Sequence, residues 1–235
     1  MILKKWKENI NMIDEERKQN LLLKINQLSA YQEIENNMGR LIAAVNFRRI
    51  DDVLKYFALE MDDVSFEYAD EGVFEGAEAL KAGIEYLLGT EIRAGEMIDL
   101  QLTTPVIEVA ADCGTARALW WSPGALSVLR ENDEPQARWM WGDFAVDFIY
   151  INDEWKVWHL HYFTVIHCDY HEGWVDDTSL INRLNTPMHE KAKPTTWHNP
   201  YHPKAIRYGI PAAPYPYDTW REEERYWMLR NDKTR

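Results

Sequence analysis

Seventeen consecutive residues, Trp155–His171 (WKVWHLHYFTVIHCDYH), restrict this chain more than any other segment. Their aromatic and β-branched content reads as a strand. In an extended segment alternate side chains point to opposite faces. Val157, His159, His161, Phe163, Val165 and His167 then share one face, and Trp158, Leu160, Tyr162, Thr164 and Ile166 share the other. Both faces are apolar, so the strand has to be covered on both sides. The segment also holds four of the seven histidines. A buried imidazole needs a partner, or a cavity with something polar in it, so this strand is the first place to look for a function.

The segments before it are mainly helical in period up to Gly89 and strand-like after it. Asp14 to about Met38 reads as a helix, with Asp14 as N-cap, Glu15 and Glu16 at the positive helix start, and Leu21, Ile25 and Leu28 as an apolar stripe. Asn36-Asn37-Met38-Gly39 predicts a break. Leu41, Ile42, Val45, Ile50, Val53, Leu54 and Phe57 continue a helical spacing, split by a turn near Arg48–Asp51. Val64, Phe66 and Tyr68 alternate as a short strand, and Gly76 to Leu88 is a further helix closed by Gly89. From there the period is two: a strand over Met97–Ala110 bulged at Pro105, a turn at Ala111–Gly114, and a strand over Thr115–Trp121. Ser122–Gln136 reads as a loop or short helix, and Ala137–Ile151 as a strand that turns at Asn152-Asp153-Glu154 into Trp155–Cys168. Helices followed by an antiparallel meander predict an α+β fold, a curved sheet wrapped against helices. From Pro187 on, seven of the ten prolines alternate with tyrosines, which predicts an arm without a regular core, draped over the sheet or over a partner subunit and ending in a short helix at Thr219–Leu229.

Charge and cysteines exclude several classes. A net charge of −13 opposes nucleic acid and anionic membrane surfaces, both of which call for clustered Lys and Arg. Two cysteines, Cys113 and Cys168, make neither a disulfide framework nor a zinc pattern. The first residues are charged and lack the apolar stretch of a secretion signal, no segment has the ~18 apolar residues a membrane span needs, and the expected place is the cytoplasm. No phosphate-cradling glycine loop, dinucleotide fingerprint or nucleophile elbow is present.

Three motifs carry a resemblance to a known family: Asn46-Phe47-Arg48-Arg49-Ile50-Asp51-Asp52-Val53-Leu54, Phe74-Glu75-Gly76-Ala77-Glu78-Ala79-Leu80, and Asp153-Glu154-Trp155-Lys156-Val157-Trp158-His159. With their element order they resemble the SnoaL-like families of the nuclear-transport-factor-2-like superfamily over roughly Asn37 to Cys168. The resemblance implies a cone-shaped α+β barrel with a deep cavity between the helices and the concave sheet face, and a homodimer or higher homo-oligomer formed through the convex face. The organisation that follows is a helical extension over 1–36, the barrel over 37–170 and an extended arm over 171–235. Relatives such as scytalone dehydratase, ketosteroid isomerase and the polyketide cyclases imply proton transfer beside a carbonyl without a cofactor. Dehydratase-type members place a Tyr and an Asp on the first barrel helix. This sequence has Leu41 and Asn46 there, and the usual strand Asp falls on Val146, one place from Asp147.

The expected activity is a cofactor-independent lyase or isomerase moving a proton on an apolar cyclic carbonyl compound, a small apolar or aromatic ligand held in an aromatic-lined cavity. His161 and His159 are the candidate general acid and base, because imidazole titrates near neutral pH. Asp147 would orient an imidazole. Asn46, Tyr68, Tyr86 and Tyr162 are candidate ligand contacts or carbonyl-polarising groups, and Trp139 and Trp141 could stack on a flat ring. Two rival readings stay open: a non-catalytic binding or oligomerisation module, and a metal held by His159 and His161 with His167, Asp147 or Glu67 as third ligand.

Overall fold

The computed structural model describes residues 15–68, 70–181 and 189–230. The expected cap at Asp14 and the start of the proline-rich stretch at Pro187 lie outside them. Helix α1 spans Glu15–Asn46 and α2 spans Ile50–Leu54, followed by strands β1 (Ser65–Tyr68) and β2 (Gly72–Glu75), helix α3 (Ala77–Leu88), and strands β3 (Met97–Leu100), β4 (Val106–Val109), β5 (Thr115–Ser122), β6 (Gly124–Leu129), β7 (Pro135–Ile151) and β8 (Glu154–Asp169). A single turn of helix, α4, covers Gly173–Asp176. The architecture is the expected α+β cone, an open and strongly curved sheet of eight strands.

The predicted break at Asn36–Gly39 is absent, and α1 runs through it, so a boundary between 36 and 37 would fall inside a helix. Gly39 costs a helix interior about 1 kcal/mol. Tertiary packing offsets that cost, because Ile34, Met38, Leu41 and Ile42 are buried on the sheet and the Asn37 side chain donates to the Trp155 carbonyl at 3.0 Å. The stripe of Leu21, Ile25 and Leu28, further toward the amino end, stays exposed.

The long strand expected over Met97–Ala110 is two strands with different partners, β3 on β6 and β4 on β5. Ser122–Gln136 is not a loop or helix: β5 kinks at Pro123 and continues as β6, so β5 and β6 together line one edge of the long β7. Strand β8 pairs antiparallel with the other edge of β7 and parallel with β1. The β7–β8 turn has Asn152 and Asp153 at positive φ (52° and 62°), the two-residue turn that matches strand twist.

Two register shifts in β8 bend the sheet and decide which side chains face where. Asp147 pairs with His159 while Phe148 pairs with Val157, which leaves Trp158 as an extra residue. Trp141 pairs with Ile166 while Gly142 pairs with Thr164, which leaves Val165 as a second one. Each β-bulge breaks the strict alternation of the strand. Gly142 has to lack a side chain there, because a Cβ would sit 2.4 Å from Tyr162 Cζ and 2.7 Å from the Phe163 carbonyl oxygen.

Both faces of β8 are covered, as its composition demands. Helices α1–α3 close the concave face over Phe66, Phe144, Val146, Leu160 and Tyr162. The arm closes the convex face, where Ile210, Trp227 and Met228 pack on Leu119, Ala145 and Phe163. The surface through which the resemblance implies dimerisation is therefore partly covered by this chain itself. In place of the expected helix at Thr219–Leu229 the arm has two short 3₁₀ turns, Glu222–Glu224 and Trp227–Leu229.

Candidate active site

Between the helices and the concave face lies a cavity of about 260 Å³. Its wall is mostly aliphatic and aromatic: Leu41, Ile42 and Val45 from α1, Ile84 and Leu88 from α3, and Phe144 and Leu160 from the sheet. Into this apolar wall come Tyr68 from β1, and Tyr162 and His167 from β8. Tyr68 and Tyr162 are paired across the parallel β1–β8 ladder, which stacks their rings with centroids 5.5 Å apart. The Tyr68 hydroxyl approaches Met140 Sδ at 3.7 Å. The Tyr162 hydroxyl is buried and has no hydrogen-bond partner among the described residues. Burial, with the Asp70 and Asp143 carboxylates adding to it, pushes the Tyr162 phenol well above its ordinary range, so it stays a hydrogen-bond donor at every working pH.

His167 completes the set. In strict alternation it would share the face of His159 and His161, but the bulge at Val165 turns it to the concave side, opposite Met140. Its Nδ1 lies 4.0 Å from Asp70 Oδ2, and His198 of the arm lies 3.4 Å from Asp70 Oδ1. Asp70 is buried in the β1–β2 hairpin. The site thus gathers the phenols of Tyr68 and Tyr162 and the imidazole of His167 from two strands, with the Asp70 carboxylate of the hairpin behind the imidazole. The sequence offered His167 only as a candidate third metal ligand and did not single out Asp70 or His198, since nothing local marks a bulge or the path of an arm.

His159, His161 and Asp147 do not line this cavity, which corrects the expectation that the His159/His161 face looks into it. All three are buried on the convex face beneath the arm. Asp147 Oδ2 lies 3.0 Å from His159 Nδ1, and its Oδ1 accepts the Trp227 indole N–H at 2.7 Å. The other ring nitrogen of His159 is 3.5 Å from Asp63, and its ring stacks on Trp158. His161 Nδ1 is 3.3 Å from Glu67, whose carboxylate accepts the Thr195 and Thr196 hydroxyls and the Thr196 N–H. Burial pulls the His161 imidazole down to about 3, so it is neutral near pH 7. These contacts fasten the arm to the sheet.

The other candidates divide. Asn46 faces a backbone and not a ligand: its amide donates to the Leu100 carbonyl at 2.9 Å and accepts the Leu100 N–H at 3.0 Å, which ties edge strand β3 to α1. Tyr86 is half-exposed outside the cavity and donates to Glu71 at 3.4 Å. Trp139 and Trp141 lie outside the cavity too, against Tyr170 and Trp174. Among the described residues no group of three or more His, Cys, Asp or Glu is arranged to hold a metal ion, and none of the helices is long and apolar enough to cross a membrane.

Comparison with known proteins agrees with this geometry. Among solved structures, a protein provisionally named a scytalone dehydratase from Novosphingobium aromaticivorans DSM 12444 is 19% identical, with 61% of this chain and 89% of that one covered at a TM-score of 0.50. The crystal structure of LinA is 15% identical, with 63% and 93% covered at a TM-score of 0.52. At these identities the likeness establishes the fold. No curated protein matches the chain. The profile of the SnoaL-like domain matches residues 26–161, more than half of the sequence. The chain therefore belongs to the SnoaL-like domain family.

Proposed function

We propose that this protein is a cofactor-independent lyase or isomerase that moves a proton on a small apolar ring compound held in the helix–sheet cavity. The observation that carries the reading is the buried Tyr162 hydroxyl, without a partner among the described residues in a mostly apolar wall, on the same surface as His167. A buried donor left unsatisfied costs about 1–3 kcal/mol, a cost that a ligand oxygen would remove. In this scheme Tyr162, with Tyr68 beside it, donates to a carbonyl oxygen where negative charge develops. His167, with Asp70 behind it, takes and returns the proton at the adjacent carbon. Such general acid–base work contributes roughly 10²–10⁴-fold. Polar groups converging on one void favour this reading over a non-catalytic binding module.

The test uses 2-tetralone, a bicyclic aromatic ketone, in deuterated buffer, with exchange of its α-protons followed by NMR. Wild-type protein should accelerate exchange above the buffer rate. Tyr162→Phe and His167→Ala should each lower that acceleration by roughly 10²-fold, while His159→Asn, outside the cavity, should retain it in whatever fraction is folded. Acceleration that survives both Tyr162→Phe and His167→Ala refutes the scheme.

A further inference from the structure

A second concavity lies on the opposite side of the sheet. It is a cleft of about 530 Å³ between the convex face and the arm around Arg207–Pro211. Its floor is built by register. Trp141 and Asp143 are two residues apart on β7, and Trp121 of β5 is paired directly with Asp143. Cross-strand partners on one face have Cβ atoms roughly 5 Å apart, so two indole rings flank one carboxylate. The rings are open to solvent, with Trp121 48% and Trp141 44% exposed.

Asp143 is the anomaly. It is 7% exposed and lines the cleft. No hydrogen bond to its carboxylate is made by any described residue, and the cation nearest to it is Arg207, whose guanidinium stands 3.7 Å away on the arm with its side chain 37% exposed. Burial pushes the Asp143 carboxyl up to about 6, against the pull of Arg207. Two other buried carboxylates on the convex face are supplied with donors: Asp147 has an indole N–H and Glu67 has two threonines. A buried carboxylate without donors, between exposed aromatic faces, lacks a counterpart that is cationic and apolar at once.

We propose that this cleft binds a small organic cation of the substituted-ammonium class, its charge against Asp143 and its alkyl groups against Trp121 and Trp141. The chemistry selects that class. Indole faces attract alkylammonium groups through the ring quadrupole. A Mg²⁺ or Ca²⁺ ion calls for six or more oxygen ligands and Zn²⁺ for three or four His, Cys or carboxylate ligands, and the floor supplies one carboxylate. An anion would meet Asp143 itself. Arg207 is the internal competitor, occupying weakly the place that the ligand's charge would take.

The probe is choline, titrated by NMR against its uncharged isostere 3,3-dimethyl-1-butanol. The inference expects choline to bind wild-type protein and the neutral alcohol to bind at least about tenfold more weakly. Asp143→Asn, which keeps the shape of the side chain, should weaken choline about tenfold or more. Trp141→Ala, at a half-exposed ring stacked on Trp174, should weaken it several-fold. Arg207→Ala should tighten it, because the competing charge is gone. The inference is overturned if choline does not bind, if the alcohol binds as well, if Asp143→Asn or Trp141→Ala leaves the affinity unchanged, or if Arg207→Ala weakens it.

Discussion

Replacing Asp143 by Asn should make the protein more stable at neutral pH, and the gain should vanish in acid. The carboxyl titrates near 3.8 in an unfolded chain and at about 6 in the folded one, because burial opposes the charge. Between those values the folded protein keeps a proton that the unfolded chain has released. Stability contributed by that proton is present below pH ~3.8 and is lost as pH rises through ~6. A difference of about 2 pH units at about 1.4 kcal/mol each is about 3 kcal/mol. Two neighbours enter this balance: Arg207 across the cleft, at 3.7 Å, and the Tyr162 phenol, on which the Asp143 charge acts. Arg207 is more than a third exposed, and its weak pull is already contained in that difference. Asp143→Asn should therefore gain about 2–3 kcal/mol at pH 7.5 and close to nothing at pH 4. Urea unfolding of both proteins at pH 4, 5, 6 and 7.5 measures it, since the mutant–wild-type difference cancels every other titration. A difference that is flat with pH, or that favours wild type at pH 7.5, would refute the reasoning.

Gly142→Ala should destabilise by about 1–3 kcal/mol in urea unfolding, because the new methyl group meets Tyr162 Cζ and the Phe163 carbonyl oxygen at 2.4 and 2.7 Å, and the latter cannot swing away. Trp227→Ala empties a buried site and strips Asp147 of its indole donor. A loss of about 3–5 kcal/mol should come with faster proteolysis within the arm, and an arm as protease-resistant as before would deny that this contact fastens it. Asn46→Ala removes both side-chain bonds to Leu100, for an expected cost of about 1–3 kcal/mol and faster amide exchange at Leu100.

Much of the fold is legible along the chain. Residues Gly76–Gly89 read as a helix and its end, and Ala77–Leu88 is that helix. The Asn152-Asp153 turn falls where turn chemistry puts it, because both residues tolerate positive φ. The change of period after Gly89 separates helices from meander. The site is less legible. Tyr68 and Tyr162 reach the cavity by simple alternation from neighbouring strands, whereas His167 reaches it through a bulge and Asp70 through a hairpin.

What the sequence by itself determined is the class of the protein and the requirement that Trp155–His171 be covered on both faces, because period and hydrophobicity are local properties. What only the tertiary structure decided is which cover lies on which face. Two bulges, at Trp158 and Val165, each shift the alternation of β8 by one residue. A one-residue shift exchanges the faces of a strand, so His159 and His161 went beneath the arm and His167 went into the cavity. A bulge depends on how a neighbouring strand bends, here β7 at Gly142 with Tyr162 lying across it. That is a relation between segments about twenty residues apart, and it leaves no mark in either one alone.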